Sequence, residues 1–141
     1  MMNFKDHEAD EIKCNIQLEQ PEFHTVFLEL SELITRRKLY KQPRLSVKEI
    51  SDLTGLSIKD ISSAFSEGGG MNFNRYVNLK RIEEVRKSLE AVVKKKTYLE
   101  IAFECGFNSK SSFNSVFRKE LGVTPSQYTR QYLATRESYV G

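Results

Sequence analysis

The sequence predicts an all-α protein, two helix-turn-helix subdomains joined by a long linker helix, with about seven helices in total. Three observations predict it. Residues Asn72 to Ala91 and the valine just after them place Ile82, Val85, Leu89 and Val92 at spacings of three, four and three, which marks one long half-buried helix. Similar stretches flank that helix: ISDLTGLSIKDISSAFSEGGGMNFNRY, from Ile50 to Tyr76, and IAFECGFNSKSSFNSVFRKELGVTPSQY, from Ile101 to Tyr128. The two stretches also keep phase. Ser57 and Ser109, Ile61 and Phe113, Phe65 and Phe117, Gly70 and Gly122, and Tyr76 and Tyr128 are each 52 residues apart. Gly55 and Gly106 are 51 apart, and one extra residue in the second turn, Asn108, accounts for the change.

Taken in order, residues 1–20 are polar and acidic and are expected to be a flexible lead-in or the stub of a linker. The bipartite domain is assigned to 21–134: a first module at 21–71, the linker helix at 72–91 and a second module at 92–134, with a tail at 135–141. Pro21 sits where a helix can begin, and Phe23, Phe27, Leu30 and Ile34 give a helix from about Glu22 to Leu39, ended by Pro43. Arg36, Arg37 and Lys38 are expected in its last turn, where they complement the helix dipole. Ser46-Val47-Lys48-Glu49 is a capping box that opens a short helix to about Leu53. Thr54-Gly55-Leu56 is a tight turn, Ser57 caps the next helix, and Gly68, Gly69 and Gly70 stop it. Two short helices joined by a glycine turn describe a helix-turn-helix.

Asn72 caps the linker helix, and Val93-Lys94-Lys95-Lys96 is a basic connector. Thr97-Tyr98-Leu99-Glu100 is a second capping box, and its helix runs to about Glu104. Cys105 to Asn108 form the turn, and Ser109 caps a helix with Phe113, Val116 and Phe117 inside. Gly122 ends that helix. Thr124-Pro125-Ser126-Gln127 starts a last helix that loses its pattern after about Leu133.

Composition narrows the partners. Residues 1–32 hold two basic and eight acidic residues, whereas 33–141 hold twenty basic and eleven acidic ones. The folded part is therefore clearly basic, which favours polyanions. Apolar residues make up 39% of the chain, and no apolar run approaches the roughly 20 residues of a membrane span. Cys14 and Cys105 stand in no metal or redox spacing and read as reduced thiols of a cytoplasmic protein. Both histidines, His7 and His24, precede the repeats, and no glycine-rich phosphate loop is present, so no enzyme is expected. Neither a cofactor, a metal nor a ligand pocket is expected.

In a helix-turn-helix the second helix lies in the major groove with its N-terminal residues at base edges. Ser57 to Ser66 and Ser109 to Lys119 are the two such helices here. A linker of about 20 residues spans about 30 Å, close to the roughly 34 Å between successive major grooves on one DNA face. One polypeptide could thus place two readers in adjacent groove segments.

The layout resembles the DNA-binding region of the AraC/XylS family of bacterial transcription regulators. The segment from Ile101 to Tyr128 carries the family's Ile-Ala, Gly-Phe, serine-rich helix start, Phe-Arg-Lys and Gly with Thr-Pro and Tyr. GGGMNFNRYVNLKRIEEVRKSL is similar to its linker helix, including Arg81 and Leu89. The resemblance covers about Phe23 to Tyr132 and implies a sequence-specific transcription regulator. Carried over by position, the base-contact candidates are Lys59, Ser62 and Ser63 in the first recognition helix, and Lys110, Ser111, Ser112 and Ser115 in the second. The first set departs from the richer pattern of the family, having no Arg, Gln or exposed aromatic. Phosphate-contact candidates are Lys48, Arg75, Lys94, Lys95, Lys96, Arg118, Lys119 and Arg130. Arg81, with Glu84 three residues on, reads as a structural ion pair or a DNA contact.

The resemblance further implies double-stranded DNA as partner, RNA polymerase as a second one, and a nucleoid location in the cytoplasm. Most members carry a sensor region. About 20 residues before the first helix are too few for one, so the chain is expected to be either a fragment of a longer protein, tethered to a membrane only through such a missing region, or a short member regulated by abundance. The competing reading is a protein-interaction module or anti-regulator that keeps the fold without specific DNA binding.

Overall fold

A computed structural model describes residues 20–91 and 96–140, and the side chains of 22–91 and 96–135 within them. Among these, seven α-helices occur: α1 Gln20–Arg36, α2 Val47–Thr54, α3 Ile58–Ser63, α4 Phe73–Glu90, α5 Tyr98–Glu104, α6 Lys110–Leu121 and α7 Pro125–Val140. The acidic lead-in with His7 and Cys14, Val92 of the linker-helix pattern, and Val93 to Lys95 of the basic connector lie outside the described residues.

The chain divides into two compact units. The first comprises residues up to Leu39 and Arg44–Val77; the second comprises Tyr40–Pro43 and the residues from Asn78 onward. The cut falls inside α4, so this one helix gives its first turn to the first unit and the rest to the second.

In the first unit, α1 packs on α3 and on the turn that follows it. Phe23, Val26, Leu30, Leu33 and Ile34 of α1 are buried, as the three-and-four spacing requires. Phe27 is half-buried and meets Phe65 and Tyr76 edge-on, at centroid distances of 5.4 and 5.7 Å. Two boundaries differ from the sequence reading. Helix α1 stops at Arg36, well before Pro43, because Lys38 adopts a left-handed conformation (φ 53°) and a 3-10 turn follows at Leu39–Lys41. Arg37 and Lys38 are thus outside the helix. Helix α3 does not run straight into its glycines: Ala64–Gly68 form a π-helical turn. Here the chain lies so close to α1 that a Cβ on Gly68 would strike the Phe23 carbonyl, and one on Gly69 would strike the Phe27 ring. The His24 ring Nδ1 donates to the Gly68 carbonyl at 3.0 Å, tying the same end to α1.

In the second unit, Ile82, Val85 and Leu89 of α4 share a core with Ile101, Ala102, Cys105, Phe107, Phe113 and Phe117. Phe113 to Phe117 and Phe117 to Tyr128 are ring pairs at 5.7 and 5.9 Å. The capping box forms in full at Thr97 and Glu100, and the serine half forms at Ser46. Thr124 and Gln127 make the same reciprocal pair ahead of α7. That last helix continues to Val140, past the expected end near Leu133, since no Pro or Gly interrupts it before Gly141.

The 52-residue phase is visible in each unit. Phe65 packs on Tyr76 in the first, as Phe117 packs on Tyr128 in the second. Gly70 and Gly122 both sit at φ 76°, a left-handed conformation that ends a helix most cheaply when the residue is glycine.

Candidate nucleic-acid interface

Each unit builds its reading helix from a serine cap, an apolar inner stripe and a polar outer face. In the first unit, Ser57 Oγ accepts from the Asp60 amide at 3.0 Å, fixing where α3 begins. Ile61, Ala64 and Phe65 are fully buried and anchor the helix. The opposite face carries Lys59 and Ser62, both exposed, with Ser63 half-buried at its edge. Ser66 is exposed on the same side, and its hydroxyl donates back to the Ser62 carbonyl at 3.0 Å.

In the second unit, Ser109 Oγ accepts from the Ser112 amide at 3.0 Å and starts α6. Phe113 and Phe117 are buried. Lys110, Ser111 and Ser115 are exposed together, and Ser112 is half-buried behind them. The sequence reading missed Asn114, which is exposed in the middle of this face. The signal was available, because Asn114 stands 52 residues after Ser62. Its side-chain amide can accept and donate at once, the arrangement that pairs with adenine in the major groove.

A groove of about 410 Å³ opens where α5, α6 and the start of α7 meet. The sequence predicts no ligand pocket, and the fold nonetheless leaves this concavity. Tyr98, Leu99, Phe113 and Pro125 give apolar walls, and Lys110, Asn114 and Arg118 of α6 line it as well. It is thus a concave border of the reading face itself.

The phosphate candidates fall into three groups. Arg75, Arg118, Lys119 and Arg130 are exposed. Lys48 and Lys96 are exposed but face carboxylates, Asp52 at 3.3 Å and Glu104 at 2.6 Å. Exposed pairs of this kind contribute little stability and can be exchanged for a phosphate. Lys94 and Lys95 lie outside the described residues.

Arg81 is neither half of an ion pair with Glu84 nor available to DNA. It is buried in the second unit, where Nε donates to the Tyr40 carbonyl at 2.6 Å and Nη2 to the Gln42 carbonyl at 2.8 Å. Nη1 reaches Asn78 Oδ1 at 3.4 Å, and the guanidinium lies 5.9 Å from the Phe107 ring centroid. Burial lowers its pKa. Arg81 therefore fixes the 40–43 segment. Glu84 instead faces Tyr40, whose hydroxyl is raised to about 12 by burial first and then by that carboxylate. The Cys105 thiol is raised to about 11 by burial and Glu84, so it stays protonated and inert.

Among the described residues, no group of three or more His, Cys, Asp or Glu could hold a metal, and no helix is long and apolar enough to cross a membrane.

The sequence profile of a helix-turn-helix domain family, of the AraC type, matches residues 50–131, which is more than half of the chain. The chain belongs to the AraC-type helix-turn-helix family. This AraC-type chain is 33% identical, over 91 residues, to an uncharacterized HTH-type transcriptional regulator of Staphylococcus aureus strain COL, covering 64% of the chain and 12% of that protein. It thus spans about an eighth of the length of that curated relative. Its fold is similar to the C-terminal domain of the two-component response regulator yesN from Fusobacterium nucleatum, with TM-score 0.62, 27% identity, and coverage of 72% of this chain and 98% of that one. It is also similar to a transcriptional regulator from Chromobacterium violaceum described as having an AraC-type DNA-binding domain, with TM-score 0.56, 26% identity, and coverage of 62% and 77%.

Proposed function

We infer that this chain is the DNA-binding part of a transcription regulator, reading a specific site with α3 and α6. The observation that carries this is the repeated reading face. Two serine-capped helices, in one 52-residue phase, each bury an apolar inner stripe and turn lysine and small polar side chains outward. Serine caps and buried inner stripes fix where each helix begins and which face it turns outward.

In this reading Lys110, Ser111, Asn114 and Ser115 supply most of the base discrimination, because Lys and Asn have preferred partners on guanine and adenine. Lys59, Ser62 and Ser63 read less and depend more on DNA shape. Arg75, Arg118, Lys119 and Arg130 supply phosphate contacts that set register without reading sequence. The two helices enter neighbouring major-groove segments. On the resemblance alone, the proposal extends to RNA polymerase as protein partner, to a sensor region outside these residues, and to a place on the nucleoid in the cytoplasm.

Selection of bound fragments from genomic DNA, followed by titration at several salt concentrations, tests the reading. One enriched site is expected, with affinity falling on the order of a thousandfold between 50 and 200 mM salt if about six phosphates are neutralised. No binding even at low salt would favour the protein-interaction alternative.

A further inference from the structure

Ile58 is the first residue of α3 and is 51% exposed. The fold makes no use of it for its core, since Leu56, Ile61, Ala64 and Phe65 around it in sequence are buried to 1% exposure or less. A single exposed aliphatic residue is ordinary, and four other large apolar residues are exposed: Leu28, Leu53, Phe103 and Leu133. None of those four lies on a reading helix. Ile58 does, at the N-terminal position that approaches base edges in a helix-turn-helix, and 52 residues before Lys110, the exposed first residue of α6.

Local helix physics does not account for isoleucine there. A β-branched residue is a middling helix former, and an acidic side chain would suit the positive end of the helix better. Recognition chemistry does account for it. The rest of the outer face is Lys59, Ser62 and Ser66, and Ser66 already spends its hydroxyl proton on the Ser62 carbonyl. Serine accepts or donates to several bases and separates them poorly. An exposed aliphatic side chain offers the complementary signal, because the C5-methyl of thymine is the one apolar group on the major-groove base edges.

We propose that Ile58 is a specificity-determining residue that packs on a thymine methyl in the groove segment read by the first unit. This rests on the DNA-binding reading above and deepens it. A face thin in hydrogen-bonding power then gains selectivity by apolar contact, and Ile58 distinguishes thymine from cytosine and uracil at one position.

The test uses the full chain and a DNA site recovered by selection, with each thymine replaced in turn by deoxyuridine, which removes only the methyl. At one thymine the replacement is expected to weaken binding about fourfold, the effect of about one methyl group of buried apolar surface. With Ile58→Ala that position should become insensitive, while the other thymines behave as before. Ile58→Val should keep a partial effect. Deoxyuridine without effect at every thymine, a preferred site lacking thymine, or a loss that persists in full in Ile58→Ala overturns the assignment while leaving DNA binding intact. Absence of any specific site at low salt overturns both.

Discussion

A guanidinium shut away from water usually meets a carboxylate, but Arg81 meets the carbonyls of Tyr40 and Gln42. Removing it would leave buried acceptors unpaired, so Arg81→Met is expected to cost about 2–4 kcal/mol in urea unfolding. Gly106 closes against the same pair. A Cβ there would strike the Tyr40 carbonyl and Arg81 Nε, and φ is 111°, so Gly106→Ala should destabilise by about 2 kcal/mol or more. Cys105 gives a pH signature. Its thiol titrates near 8.5 in an unfolded chain and at about 11 when folded. Between those values the unfolded state holds fewer protons, so stability falls as pH rises. The urea midpoint should drop from pH 8 to pH 10.5, and Cys105→Ala should flatten that drop. On the reading face, Asn114→Ala should lower discrimination at one adenine by about 1–3 kcal/mol, whereas Arg118→Ala should weaken all sequences alike and reduce the salt slope by about one. Competition binding with single-base variants separates the two outcomes. The sequence disclosed caps and buried phenylalanines, because they repeat. It could not disclose the carbonyl partners of Arg81, which lie 41 and 39 positions away, nor the groove beside α6, which depends on how α5, α6 and the start of α7 come together.

At the scale of elements, spacing marked the two long helices α1 and α4, caps and turn glycines marked the others, and departures came where backbone conformation, not side-chain pattern, decided. Lys38 takes a left-handed conformation usually left to Gly or Asn, so the end of α1 carried no written signal. The π turn at Ala64–Gly68 likewise keeps Ala64 and Phe65 buried and leaves the apolar spacing unchanged. Helix α4 is the element on which both units depend. Val85 is fully buried within its second-unit part. Val85→Pro removes an intrahelical bond and a core side chain, and should cost about 3 kcal/mol or more. Loss of cooperative unfolding in the second unit, followed by circular dichroism, is the expected readout. Footprint protection should shrink to the part contacted by the first unit; full protection by the variant would show that α4 is not needed to link the readers.

At the scale of the whole molecule, the proposed function has two short helices of one chain take the place of the pair of subunits that most helix-turn-helix proteins bring to DNA. In that proposal the excess of positive charge in residues 33–141 supplies attraction for any DNA, and the outer faces of α3 and α6 are assigned the choice of site. The two faces are chemically unequal, with Lys110, Ser111, Asn114 and Ser115 exposed on α6 and Ile58, Lys59 and Ser62 on α3. The most direct measurement of the central claim is hydroxyl-radical footprinting of the full chain on its selected site, at a stoichiometry of one protein per DNA. Two protected patches on one face, about 10 base pairs apart, are predicted. A single patch, or a second patch that appears only when a second copy binds, would contradict the account.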